Sequence, residues 1–219
     1  ACNTASAYAL RTLVETYEVP VVGVIEPVAR RAAATTSSHA IGVMGTRGTV
    51  RSNCYPDALT QRAPGCQVHQ VPSPLLVPLA EEGWLDGDVV EKVVRHYVGE
   101  FQGTGIDALI LGCTHYPILR PVLDEVTAEL LEGEVRLLDS ASATAETLAD
   151  VLRESGLMRG SDERESREEP EAQNAERRAD CSARLDFLFT DVSPAFADTT
   201  ERFFGSRPDT LTHVDITDA

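Results

Sequence analysis

Two cysteines stand in matching surroundings at opposite ends of the chemistry-bearing part of the chain. Cys2 lies in ACNTASA at the start, and Cys113 lies in LILGCTHYP, 111 positions later (113 minus 2). Each follows a small or apolar run and precedes short polar side chains: Asn3 and Thr4 after the first, Thr114 and His115 after the second. A thiol becomes a base or nucleophile only as the thiolate, which a helix N-terminus or a neighbouring imidazolium favours. The hydroxyl and amide groups of Asn3, Thr4 and Thr114 would fix the carboxylate and amine of a small anion at the same level. Cys54, Cys66 and Cys181 have no such surroundings and read as ordinary small hydrophobes. Cys113 and His115 could also present two metal ligands, but no C-x-x-C and no H-x-x-x-H occurs, so a metal site is not expected.

The elements that must place these thiols follow from hydrophobic patterning. Short apolar runs at Val21–Ile25, Ala40–Met44, Val68–Val71, Ala108–Leu111, Val135–Leu138 and Phe187–Thr190 read as strands. Helical periodicity occupies Ala5–Tyr17, Asp88–Phe101, Pro117–Leu131 and Ser142–Leu152, and a further helix is expected over Pro194–Phe204. Alternating strand and helix makes the fold class α/β, with a mostly parallel sheet covered on both faces. In such a sheet ligands bind beyond the carboxyl ends of the strands, where helix N-termini offer N–H groups to an anion. Arg159–Arg184 breaks the pattern. It is crowded with Glu, Asp and Arg, lacks apolar periodicity, and reads as a solvated insertion.

Composition narrows the function classes. The chain has 219 residues and is 42% hydrophobic, enough for an ordinary core. Its 35 acidic against 19 basic residues give a net charge of −16, which repels phosphate backbones and anionic lipid heads and so argues against nucleic-acid or membrane-surface partners. The same surplus of carboxylates suits a protein kept soluble in high salt. No apolar run reaches the roughly 18–20 residues of a membrane span, and no signal peptide is recognisable. Five cysteines without framework spacing fit reduced thiols in a cytoplasmic setting.

The motifs ACNTASA and LGCTHYP, in this order, resemble the two signatures of cofactor-independent glutamate racemases in the aspartate/glutamate racemase superfamily. GVIEP, IGVMGTRGTVRSNCY and PLLVPLAEEGW lie between them and extend the resemblance over roughly residues 1–153, and it resumes at FLFTD and FADTTERFFG. It implies two pseudo-symmetric Rossmann-like halves with the active site in the cleft between them. Residues 26–136 would form one half, and residues 1–25 and 137–219 the remainder of the other, with the 159–184 insertion. The implied activity is interconversion of L- and D-glutamate by two opposed bases, supplying D-glutamate for peptidoglycan, with no cofactor and often in a homodimer.

Residue by residue, Cys2 and Cys113 match the two catalytic thiols, Cys2 serving the D-enantiomer and Cys113 the L-enantiomer. His115 would assist the second thiol, and Glu81 matches a carboxylate near the site in preference to Glu82. Asn3, Thr4, Thr46, Thr49, Thr114 and His115 match substrate-binding positions, with a helix N-cap equally open to Thr46 and Thr49. A pyridoxal-phosphate racemase would need a Schiff-base lysine, and the single lysine, Lys92, sits in an amphipathic helical pattern. The family's initial DSGxGG-type loop and PYG loop are missing from this sequence, so an N-terminally incomplete chain is expected. Aspartate or hydantoin racemisation, and a non-catalytic binding protein retaining the cleft, are the alternative readings.

Overall fold

The computed structural model describes residues 2–158, 186–190, 200–203, 205 and 210–215. The chain divides into two compact units, Ala1–Met158 and Arg159–Ala219. The charged 159–184 segment and Cys181 lie outside the described residues, as does most of the helix expected over Pro194–Phe204, of which 200–203 are helical.

The first unit is built on a four-stranded parallel sheet. Its strands are β1 (Ala40–Gly45), β2 (Gln67–Pro72), β3 (Ala108–Gly112) and β4 (Arg136–Asp139), in the spatial order β2-β1-β3-β4. The two central strands are buried along their whole length, whereas β2 and β4 keep partly exposed residues. Continuous apolar runs such as ALIL, without polar alternation, are what a strand covered on both faces requires. Side chains then alternate between two cores. Met44, Leu109 and Leu111 face one cluster, and Ile41, Val43, Ala108 and Ile110 face the other.

Eight helices surround the sheet: α1 (Asn3–Thr16), α2 (Ile25–Thr35), α3 (Arg47–Arg51), α4 (Cys54–Arg62), α5 (Leu76–Glu81), α6 (Asp88–Gly99), α7 (Arg120–Leu130, entered through a 3-10 turn at Tyr116–Leu119) and α8 (Ser140–Glu154). Val90, Val94, Tyr97 and Val98 of α6 and Val122, Leu123 and Val126 of α7 fill the first core. Val28, Ala29 and Ala32 of α2, Tyr55, Ala58 and Leu59 of α4 and Ala143 of α8 fill the second.

One expected strand does not form. Val21–Ile25 is irregular up to Val24 and then enters α2. A short apolar run is ambiguous between a buried strand and the approach to a buried helix, and here Val24 and Ile25 are buried at the start of α2, beside Val28, Ala29 and Ala32. The helices α2, α4 and α5 were not foreseen, whereas the expected strands at 40–44, 68–71, 108–111 and 135–138 form within a residue of their expected bounds.

At the amino end of the sheet, Asp107 precedes β3 and receives Thr36 Oγ1 at 2.6 Å, Ser37 N at 2.6 Å and Ser38 N at 2.7 Å. Burial pushes this carboxyl up, but the hydrogen bonds from Thr36, Ser38 and Ser37 outweigh it and hold the group below its usual range. The α2–β1 connection is thereby pinned to the start of the strand that Cys113 follows.

In the second unit, β5 (Asp186–Phe189) pairs in parallel with β6 (Thr210–His213), and the rings of Phe187 and Phe189 stack with centroids 5.9 Å apart.

Candidate active site

Strand register sets the site. Gly45 of β1 pairs with Gly112 of β3, so Thr46 and Cys113 leave the sheet side by side at its carboxyl end. This is also where the chain order reverses, since β2 lies on one side of β1 and β3 on the other. Ligand crevices form at such switch points.

Thr46 caps α3, accepting Thr49 N at 3.2 Å. Its hydroxyl also lies 3.1 Å from Thr49 Oγ1 and 2.8 Å from Thr4 Oγ1, and Thr4 lies 3.0 Å from Thr49. Three hydroxyls thus form a closed triangle drawn from α1 and α3. Hydroxyl protons rotate, so the same groups can donate to an anion when one arrives. The approach of α1 to α3 is close at Gly48, where a Cβ would come within 3.0 Å of Thr4 Cγ2, and Tyr8 Oη donates to Gly48 O at 3.1 Å.

Cys2 is the N-cap of α1. Its exposed Sγ accepts Ala5 N at 3.5 Å, which places the sulfur at the positive end of the helix. Cys113, by contrast, is 7% exposed. Burial pushes its thiol up, the backbone N–H of His115 draws it down, the charges of Cys2 and Glu81 raise it again, and the Thr114 N–H lowers it; the result lies above the ordinary thiol range. A thiol so raised rests protonated and is a stronger base once ionised. His115 Nδ1 stands 3.7 Å from Cys113 Sγ, and His115 Nε2 stands 3.1 Å from Glu81 Oε1 at the end of α5. Thiol, imidazole and carboxylate therefore stand in a line, each within reach of the next.

Asn3 is buried. Its Nδ2 donates to Ser140 Oγ at 3.2 Å, and its Oδ1 accepts from Tyr55 Oη at 3.0 Å. Ser140 opens α8 directly after β4, and Tyr55 sits fully buried in α4. Gly112 is required beside that ring, because a Cβ there would lie 3.0 Å from Tyr55 Cε2 and 2.8 Å from Met44 O.

The candidate site residues thus lie around the carboxyl end of one sheet, in three groups: Thr4 with Thr46 and Thr49, Cys113 and Thr114 with His115 and Glu81, and Asn3 beside Cys2. Tyr55 and Ser140 were not foreseen, and only tertiary contact reveals them. Lys92 is exposed on α6. Among the described residues no cluster of His, Cys, Asp and Glu could hold a metal ion, and no helix is long and apolar enough to cross a membrane.

Comparison with known proteins agrees with this fold. The Asp/Glu/Hydantoin racemase family model matches residues 1–148. A glutamate racemase of Geobacter metallireducens is 50% identical over 163 residues, covering 74% of this chain and 59% of that protein. A solved glutamate racemase isoform of Bacillus anthracis superimposes with a TM-score of 0.80 at 32% identity, over 98% of this chain and 72% of that one. A Francisella tularensis glutamate racemase solved with D-glutamate gives a TM-score of 0.81 at 28% identity, over 100% of this chain and 73% of that one. The chain spans less than two thirds of the length of the Geobacter relative, 59% of it. A parallel α/β sheet with paired cysteine loops at its carboxyl end, matched by the family model along most of its length, places the chain in the Asp/Glu/hydantoin racemase family.

Proposed function

We propose that this chain carries the reaction crevice of a cofactor-independent glutamate racemase, with Cys2 and Cys113 as the two bases. Racemisation removes the Cα proton from one face and returns a proton to the other. One thiolate abstracts while the opposite thiol donates; the thiolate and thiol then exchange places, and the reverse direction uses the same pair. The observation that supports the reading is the contact of Thr4, two residues after Cys2, with Thr46, which leaves β1 beside Cys113 at the carboxyl end of the sheet. His115, ordered by Glu81, would hold or move the proton at Cys113. The hydroxyls of Thr4, Thr46, Thr49 and Thr114 and the amide of Asn3 would bind and orient the amino acid.

Glutamate as substrate is supported by the relatives' names and by the D-glutamate bound to the Francisella neighbour. The same reading assigns residues 1–25 and 137–219 to one half and 26–136 to the other, and takes the enzyme as a cytoplasmic homodimer that supplies D-glutamate for the cell wall. The test is chiral analysis of L-glutamate and L-aspartate incubated separately with the protein, without pyridoxal phosphate. D-glutamate formation supports the assignment. D-aspartate alone would move it to the aspartate branch, and no turnover of either substrate would remove it.

A further inference from the structure

The two thiols must face one carbon at a fixed separation, and a single buried side chain touches the segments that carry both. The Tyr55 hydroxyl donates to Asn3 Oδ1 at 3.0 Å, one residue after Cys2. Its ring fits beside Gly112, one residue before Cys113, so closely that a Cβ there would lie 3.0 Å from Cε2. Neither contact is loose. Asn3 is held from its other side by Ser140 Oγ, so its amide cannot turn without breaking two buried hydrogen bonds. Cys2 is the N-cap of the helix that Asn3 begins, and its sulfur is bonded into that first turn through Ala5 N.

We propose that Tyr55 is a positioning residue that sets the spacing between the Cys2 and Cys113 sulfurs, its hydroxyl tethering the first cysteine's helix and its ring bracing the second cysteine's strand. It touches no reacting atom. Its phenol is pushed far above the ordinary range, by burial first and then by the charges of Cys54 and Cys113, and so stays a neutral donor throughout the working pH range. This role rests on the two-thiol reading given above.

The test is Tyr55→Phe in the full chain, which keeps the ring and removes the tether. Small misplacements of reacting groups act on the chemical step, so kcat should fall about tenfold or more while KM moves less than about threefold. In an Asn3→Ala background, where the tether is already gone, Tyr55→Phe should change kcat no further. Unchanged kcat in the single variant, or an equal loss in both backgrounds, would overturn the proposal, the latter by showing a purely structural effect. A second readout needs no turnover. Solvent exchange of the Asn3 side-chain amide protons, followed by nitrogen-15 NMR, should quicken about tenfold in Tyr55→Phe as a buried hydrogen bond is lost. Unchanged exchange overturns the tether even in a protein that does not turn over glutamate, whereas quickened exchange without racemase activity leaves the tether standing and removes the two-thiol reading instead.

Discussion

The two ends of the same four-stranded sheet use polar groups in opposite ways. At the amino end, Asp107 spends its carboxylate on three donors from residues 36–38 and closes a connection. At the carboxyl end, Thr4, Thr46 and Thr49 bond chiefly to one another, and Cys113, His115 and Glu81 form a line ending at a sulfur. The first arrangement offers little to a ligand and stabilises the fold. In the second, the three hydroxyls can exchange their mutual bonds for bonds to an incoming anion. Parallel topology explains the asymmetry, since helices start at the carboxyl end and present their N–H groups there.

Mutations should separate the two ends. The largest effect is expected at the sulfurs: Cys2→Ala or Cys113→Ala should cost racemisation about a thousandfold or more, roughly 4 kcal/mol of barrier, with thermal unfolding little changed. Progress curves and calorimetry on the same samples decide this, and a variant that loses activity only by unfolding would erase the contrast.

At the opposite end, Asp107→Ala should cost about 1 kcal/mol of stability, the loss of hydrogen bonds to a carboxylate at a largely solvent-exposed turn. Its kcat should stay near that of the parent. Because the folded carboxyl of Asp107 lies below its unfolded value, its contribution is fully present above about pH 4 and fades as pH drops through the depressed folded value. Denaturant midpoints measured from pH 6 downward should therefore fall more steeply for the parent than for Asp107→Asn.

A smaller effect than at the sulfurs belongs to Glu81→Gln. It keeps the shape but replaces the carboxylate that orients the His115 ring at 3.1 Å, and should lower kcat about tenfold, near 1.4 kcal/mol. Smallest of all is Arg11→Ala. Its exposed partner Glu15 at 2.8 Å is one helical turn away, and the pair contributes under about 0.5 kcal/mol. A chemical-denaturation shift beyond 1 kcal/mol, the upper limit for such pairs, would contradict that ranking.

Much of this was legible in the chain because local composition carried it. The fully buried runs AIGVMG and ALILG announce covered parallel strands, and the paired CNT and CTH contexts carry the resemblance to the family. The preference for Glu81 over Glu82 coincides with the contact to His115. Val21–Ile25 misled because apolar runs of that length do not distinguish a strand from the approach to a buried helix. Tyr55 and Ser140 were invisible for another reason. They lie 52 and 137 positions from Asn3, and only the folded sheet brings them together.

The most direct test of the central claim starts from L-glutamate in deuterated water, with chirality and Cα deuterium read together at low conversion. Two opposed thiols predict that newly formed D-glutamate carries deuterium while the remaining L-glutamate stays protiated, because each face of the carbon meets its own sulfur. Equal early deuteration of both enantiomers would mean one base serving both faces, and would contradict the account.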